Sequence, residues 1–138
     1  MELFDWVSAV TLVFCAALGV GSLFFPNWAA GVVRLVADPD PSKPGGFSEF
    51  RATYGGLLLM LHATALLILI QPDLDRAYKI FALFPLGAAW LGAGFGRSMS
   101  FILDKEANRS AGLIPVWIPM EFALGLAILS PAVHMGAG

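Results

Sequence analysis

The chain has 138 residues, of which 58% are hydrophobic and only 13% charged, and its formal net charge is −2. Soluble domains carry about 25% charged residues, so we expect lipid to be the solvent for much of the apolar surface here. The small net charge, with no cluster of lysine and arginine, excludes a nucleic-acid-binding class, and the single cysteine, Cys15, excludes an intrachain disulfide.

The first apolar run covers about residues 6–25 and ends at Pro26. A secretory signal begins with a positively charged segment, whereas the residues before this run include Glu2 and Asp5 and no lysine or arginine. The run is also long enough to cross a bilayer. We therefore expect a span that is retained in the protein.

The connection after the first run is the only long one. Residues 26–37 are mostly apolar and contain Trp28 and one charge, Arg34. Proline is accepted in the first turn of a helix, and tryptophan suits the headgroup level of a membrane. This segment favours a short helix lying in the membrane interface. The prolines and glycines of residues 38–46 then end regular structure.

Three further apolar runs follow, at about residues 47–70, 77–103 and 113–133. A helix of about 20 residues crosses about 30 Å of hydrocarbon and satisfies its own backbone polar groups. The pattern predicts an all-α integral membrane four-helix bundle, with residues 1–138 forming a single transmembrane domain.

The distribution of basic residues predicts the orientation. The first and third connections with their flanks carry six of them: Arg34, Lys43, Arg51, Arg97, Lys105 and Arg109. The second connection carries Arg76 and Lys79, and the terminal segments carry none. Lysine and arginine concentrate on the cytoplasmic side, so we expect both termini on the outer side.

Several polar residues near the ends of three spans are predicted to meet at one level, close to the first and third connections. They are Glu49, Arg51, Tyr54, Arg97, Ser100 and Glu121. Charges in a span are costly unless paired, and arginine binds carboxylates and phosphates through parallel hydrogen bonds. Three interpretations stay open: the charges neutralise one another structurally, the layer binds an anionic headgroup or small acid, or Glu121 carries a proton.

Other features are less specific. His62 lies in the middle of the second span, where a histidine is either a hydrogen-bonded core residue or a haem ligand. Ala88, Gly92 and Gly96 form a stripe of small residues that allows close helix contact, either inside the bundle or between two copies. Pro115 and Pro119 precede Glu121 and free backbone carbonyls near it.

Two segments resemble a known family. Residues 49–56, Glu-Phe-Arg-Ala-Thr-Tyr-Gly-Gly, resemble the E-x-R-x-x-Y-G-G stretch of the DUF4345 family of small bacterial membrane proteins. Residues 96–100, Gly-Arg-Ser-Met-Ser, followed by Asp104, resemble its G-R-x-x-S segment with a following acid. The resemblance implies a four-span protein of the bacterial inner membrane, which would put the termini in the periplasm. It implies no activity.

We therefore expect a bundle that binds a lipid or small anion at the charged layer, or an accessory subunit of a membrane complex. The alternative is a small proton-coupled transporter that uses Glu121, and an intramembrane redox enzyme that uses His62 ranks last. No catalytic triad or metal-ligand spacing is present, so we expect no enzyme activity, no metal and no cofactor. The expected partners are membrane lipid, other membrane subunits or a second copy, and not nucleic acid.

Overall fold

The computed structural model describes residues 1–35, 40, 42, 47–104 and 114–136. Within these residues the chain forms five helices and no strand. Four of the helices are long and apolar enough to cross a membrane. The all-α class and the four membrane-spanning helices predicted from the sequence are confirmed.

The helices correspond closely to the predicted segments. Their bounds are α1 Leu3–Phe24, α2 Pro26–Val33, α3 Ser48–Leu69, α4 Arg76–Leu103 and α5 Ile114–Leu129, the last continued by a 3₁₀ segment Ser130–Gly136. The helix α2 occupies the place of the short helix expected after Pro26. The side chain of Asp75 caps α4 by accepting a hydrogen bond from the Ala77 backbone N–H at 2.8 Å.

Much of the apolar surface faces outward, as lipid requires. In the most apolar stretch of each long helix, at most 39% of the residues are buried inside the protein. Large side chains such as Leu3 and Leu103 are 74% and 70% exposed. Soluble monomers rarely expose contiguous apolar surface of this kind, whereas hydrocarbon covers it on membrane helices.

The chain divides into two compact units, which we describe separately. One consists of Leu12–Thr64 and the other of Met1–Thr11 with Ala65–Gly138. The prediction of a single domain stays a prediction, because this division does not test it.

In the unit Leu12–Thr64, the helices α1 and α3 approach each other at glycines. A Cβ added to Gly19 would lie 2.6 Å from the backbone nitrogen of Leu59, and one added to Gly55 would lie 2.7 Å from Leu23 Cγ. Small residues of this kind let helix backbones come together in lipid. The position of α3 against α1 therefore depends on these two glycines.

The start of α3 departs from regular α-helix. Residues Arg51–Leu57 form a π-helix, between one α-helical turn and the α-helical stretch Leu58–Leu69. The α-helical turn before the π-helix packs through Phe50 against Ala29 and Ala30 of α2. The π-helix is rare and is frequently found at functional sites, and here it covers most of the segment 49–56 that carries the family resemblance.

In the other unit, glycines again set the helix contact, between α4 and α5. A Cβ on Gly125 would lie 2.9 Å from the carbonyl oxygen of Gly87. The beginning of α1 is held to the same unit by a buried hydrogen bond from Ser8 Oγ to the Ile128 carbonyl, 3.0 Å long. Hydrogen bonds between helices are a main source of association where no hydrophobic effect operates.

The predicted stripe of Ala88, Gly92 and Gly96 does not form the contact between α4 and α5. All three residues are exposed, and a Cβ added to Gly92 or Gly96 would meet nothing within 4 Å among the described residues. The contact instead uses Gly87 and Gly94, which lie on a different face of α4. Small-residue spacing alone does not identify which face of a helix is buried.

Part of the orientation prediction lies outside the described residues. Lys43, Lys105 and Arg109 are among the six basic residues on which it rests, and they fall in the ranges that the structure does not describe. The outward placement of the termini stays a prediction.

Gly19 offers a test of the contact between α1 and α3. We expect Gly19→Ala to lower the free energy of unfolding by about 1–3 kcal/mol, because the new methyl group displaces the Leu59 backbone. Gly92→Ala is the matched control, with an effect within about 0.5 kcal/mol. Unfolding midpoints in detergent measure both, and equal midpoints for the two variants would contradict the close approach.

Arg34 offers a second test, because it has a left-handed backbone conformation with φ 59°. It ends α2, and the following Leu35 N–H donates to the Ala30 carbonyl at 2.9 Å. Residues with a Cβ are strained in this conformation and glycine is not. Arg34→Gly is expected to stabilise the protein by about 1 kcal/mol, whereas Arg34→Ala keeps the strain and gives no such gain. Thermal unfolding of the two variants separates the backbone effect from the loss of charge.

Candidate binding site

Two of the charges predicted for the layer, Arg97 and Glu121, form an ion pair between α4 and α5. Arg97 Nε donates to Glu121 Oε1 at 2.7 Å. The Glu121 side chain is only 4% exposed, and that of Arg97 is 30% exposed. A charge-assisted hydrogen bond of this length is among the stronger polar interactions in proteins. The carboxylate is thus the buried member of the pair, and the guanidinium is the member that reaches the surface.

The ion pair leaves two buried polar atoms without partners. The second carboxylate oxygen of Glu121, Oε2, and the indole Nε1 of Trp117 make no hydrogen bond within the described residues. The two residues are four apart in α5 and therefore lie on one face of the helix. One atom accepts hydrogen bonds and the other donates them. The site can therefore accept one hydrogen bond and donate another to a bound ligand.

Close packing of the two helices positions these side chains. Gly94 lies one turn before Arg97, and Phe122 directly follows Glu121. A Cβ added to Gly94 would lie 3.0 Å from the ring of Phe122. Pro119 lies inside α5 between Trp117 and Glu121. Because proline has no N–H, the carbonyl four residues earlier loses its usual helical donor. The local backbone therefore adds a further acceptor, the Pro115 carbonyl, six residues before the acid.

Among the residues that the structure describes, the hydrogen bond of the Arg97 guanidinium to Glu121 uses Nε and not the terminal amino groups. Arginine presents five N–H donors in a planar fork. Four of them are left for an outside acceptor such as a phosphate or carboxylate oxygen.

Ser100, predicted in the same layer, is already engaged. Its hydroxyl donates to Oδ2 of Asp104, the residue that follows the end of α4. Its hydroxyl proton is therefore used locally, at the end of the helix.

The other three predicted site residues belong to the unit Leu12–Thr64. Glu49 and Arg51 are exposed, and Arg51 Nε donates to the Leu23 carbonyl at 3.1 Å. Leu23 lies in the last turn of α1, where carbonyls lack helical donors. Tyr54 is 38% exposed and stacks on Phe50 with ring centroids 4.7 Å apart. Arg51 thus braces the π-helix against α1 through one of its nitrogens.

The prediction that all these residues share one level is therefore tested only in part. Arg97 and Glu121 are brought together in one unit. Glu49, Arg51 and Tyr54 lie in the other unit, so the shared layer stays a prediction, as does the role of each residue in binding.

His62 behaves as a hydrogen-bonded residue of the protein interior. It is 1% exposed, and its Nδ1 lies 2.7 Å from the carbonyl oxygen of Leu58, one turn earlier in α3. No group of three His, Cys, Asp or Glu side chains within the described ranges is placed to hold a metal ion.

A second charged cluster was not predicted from the sequence. Arg76, at the start of α4, bridges Asp5 Oδ2 at 3.3 Å and Glu2 Oε2 at 3.2 Å. It also donates to the Pro131 carbonyl at 3.4 Å, and Asp5 Oδ2 accepts from the Glu2 N–H at 2.9 Å. The signal was available, because these residues fall at the same membrane end by span boundaries.

The energetic role of the Arg97–Glu121 pair can be measured with a double-mutant cycle. Arg97→Ala leaves a buried charge unpaired, so we expect a loss of about 3 kcal/mol in the free energy of unfolding. Adding Glu121→Leu removes that charge and should recover at least half of the loss. Glu49→Ala, at an exposed carboxylate, is the control and should change stability by less than about 0.5 kcal/mol. Additive effects of the two site substitutions would contradict the coupling.

Comparison with known proteins gives one match. A family model described as "Domain of unknown function (DUF4345)" matches residues 3–130. No curated protein and no solved structure matches the chain. The matched region includes all the candidate site residues and nearly the whole sequence, and the chain belongs to the DUF4345 family.

Proposed function

We propose that this membrane protein binds a membrane lipid by its headgroup, at the site formed by Arg97, Trp117 and Glu121. The observation that carries the proposal is the pair of buried, unpartnered atoms, Glu121 Oε2 and Trp117 Nε1. Nearly all buried polar atoms in proteins have hydrogen-bond partners, and each exception requires an explanation. A bound ligand that supplies both partners explains the two atoms together.

A purely structural role for the ion pair explains fewer of the polar groups at this site than lipid binding does. Its stabilising role needs only the bond between Arg97 Nε and Glu121 Oε1. It gives no reason to bury a second carboxylate oxygen and an indole N–H, each of which costs free energy when left unpaired. It also gives no role to the remaining donors of Arg97.

The position of the site along its helices fits a headgroup. The 28 residues of α4 give a length of about 42 Å, against about 30 Å of hydrocarbon. If the helix extends equally on both sides, the Cα of Arg97 lies about 3 Å inside the hydrocarbon boundary. A long arginine side chain reaches from that depth to the phosphate level.

The unit Leu12–Thr64 is proposed to make a separate headgroup contact of its own. Arg51 uses Nε to hold the Leu23 carbonyl, and its terminal amino groups are assigned to a phosphate. Tyr54 and Glu49 are the nearby exposed polar groups. The occurrence of a π-helix at these residues supports a functional role for the segment.

The proposal includes the finer points of location and partners. It places the protein in the bacterial inner membrane with its termini in the periplasm, as a lipid-binding or accessory protein without enzyme activity. A larger membrane complex or a second copy of the chain is the further partner that the proposal allows.

The alternative function is proton-coupled transport through Glu121, and the unpaired Oε2 favours it because that atom is where a proton would bind. Transport requires Glu121 to be released from Arg97 during each cycle. It predicts a pH-driven flux in vesicles that Glu121→Gln abolishes, whereas lipid binding predicts no flux.

Native mass spectrometry of gently extracted protein tests the proposal. We expect wild-type protein to retain lipid, and Arg97→Ala to retain at least tenfold less, because the phosphate loses its charged partner. Arg76→Ala is the matched control, since it breaks another ion-paired arginine in the same unit and should lower stability without loss of lipid. Equal retention by all three proteins, or a wild type without lipid, would refute lipid binding at this site.

A further inference from the structure

The charge of the site limits which headgroup it accepts. Arg97 and Glu121 carry opposite charges and neutralise each other, and the remaining polar atom, Trp117 Nε1, is neutral. A purely anionic ligand at Arg97 would leave one negative charge uncompensated beside the buried carboxylate. Uncompensated charge is costly at low dielectric constant. The ligand that keeps the site neutral carries one charge of each sign.

The hydrogen-bonding capacity of the site makes the same distinction. Arg97 and Trp117 have donors left over and require acceptors, as phosphate oxygens supply. Glu121 Oε2 requires a donor. Within one ligand, an ammonium group beside a phosphate meets both requirements.

We infer that the site selects a zwitterionic phosphate headgroup bearing a primary ammonium, of the ethanolamine type, with the phosphate on Arg97 and Trp117 and the ammonium on Glu121. This inference rests on the proposed lipid-binding function and adds the chemical class of the headgroup. A choline headgroup has the same charges but no N–H, so it leaves Glu121 Oε2 without a donor. A glycerol headgroup has hydroxyl donors but leaves the negative charge unmatched.

The geometry indicates how such a ligand enters. Glu121 Oε2 and Trp117 Nε1 are shielded from solvent, whereas the Arg97 side chain is 30% exposed. The phosphate therefore meets Arg97 first. The bond between Arg97 Nε and Glu121 Oε1 is kept, because the phosphate uses the other N–H donors of Arg97 and the ammonium donates to Glu121 Oε2. The ligand thus adds one charge of each sign beside the existing ion pair, and the buried carboxylate keeps a partner throughout.

The experiment uses the N-methylation series of phosphatidylethanolamine with identical acyl chains. The members carry no, one, two or three N-methyl groups, so the N–H donors fall from three to none while the charges stay the same. An equimolar mixture is offered to delipidated full-length protein, and native mass spectrometry reads the bound ratios in one spectrum. We expect retention to fall along the series, with the ethanolamine lipid favoured at least tenfold over the choline lipid.

Two variants separate recognition from folding. Glu121→Gln keeps the shape and removes the charge, and we expect the preference to fall below about threefold. Trp117→Phe removes only the indole N–H, whose partner is the phosphate common to the whole series. It should weaken all members alike and leave the ratio unchanged. A change of ratio in Trp117→Phe that matches the change in Glu121→Gln would overturn the assignment of the ammonium to Glu121.

The outcomes distinguish failure of this inference from failure of the proposed function. Equal retention of all four lipids, or stronger retention of phosphatidylglycerol, with dependence on Arg97 in either case, overturns the zwitterion inference and leaves lipid binding standing. No dependence on Arg97 for any lipid overturns both. Glycerophosphoethanolamine, which has no acyl chains, is added as a competitor. If it displaces the lipid, the site recognises the headgroup alone and a soluble phosphoethanolamine compound can be the ligand. If the lipid stays bound, the site also needs the acyl chains and the ligand is a membrane lipid.

Discussion

The hydrogen bond from Arg97 Nε to Glu121 Oε1 is the interaction on which this account of the protein depends. It joins α4 and α5 in a part of the chain where a lone charge would cost several kcal/mol. It also restricts the carboxylate, because one oxygen is held while the other is buried and has no hydrogen-bond partner within the described residues. The same bond thus stabilises the helix pair and leaves a buried acceptor unused. A polar contact that only held two helices together would not need a buried acceptor without a partner.

Backbone proximity makes this arrangement possible. Gly87 and Gly125 bring α4 and α5 close together in one unit, and Gly19 does the same for α1 and α3 in the other. In lipid, where the hydrophobic effect does not drive helices together, such contacts and hydrogen bonds between helices hold the fold. The cluster of Arg76 with Asp5 and Glu2 adds a second set of charge contacts. It differs from the first because its charges are more exposed, and the buried unpartnered side-chain atoms found in the described residues do not belong to it.

The parts of this structure that follow from composition were predictable, and those that follow from helix rotation were not. Runs of about 20 apolar residues predict membrane helices because hydrocarbon thickness sets their length, and the bounds of all four agree with this rule. The similar depth of Arg97 and Glu121 was predictable from the span boundaries, but depth alone did not select this pair from the other charges of the predicted layer. The buried face of α4 was not, because both Gly92 and Gly94 fit a small-residue spacing and only packing decides between them. The π-helix at Arg51 and the unused indole of Trp117 depend on hydrogen-bond geometry that no sequence spacing encodes.

The most direct measurement of the central claim is the distance between lipid phosphorus and the Arg97 guanidinium nitrogens, by solid-state NMR dipolar dephasing with ¹⁵N-labelled arginine in phosphatidylethanolamine vesicles. The Arg97 signals are assigned by their loss in Arg97→Lys. If a headgroup occupies the site, the terminal nitrogens of Arg97 are dephased by ³¹P, because a phosphate oxygen lies within hydrogen-bond distance of them. If Arg97 shows no dephasing, the site holds no phosphate, and its pairing with Glu121 is structural.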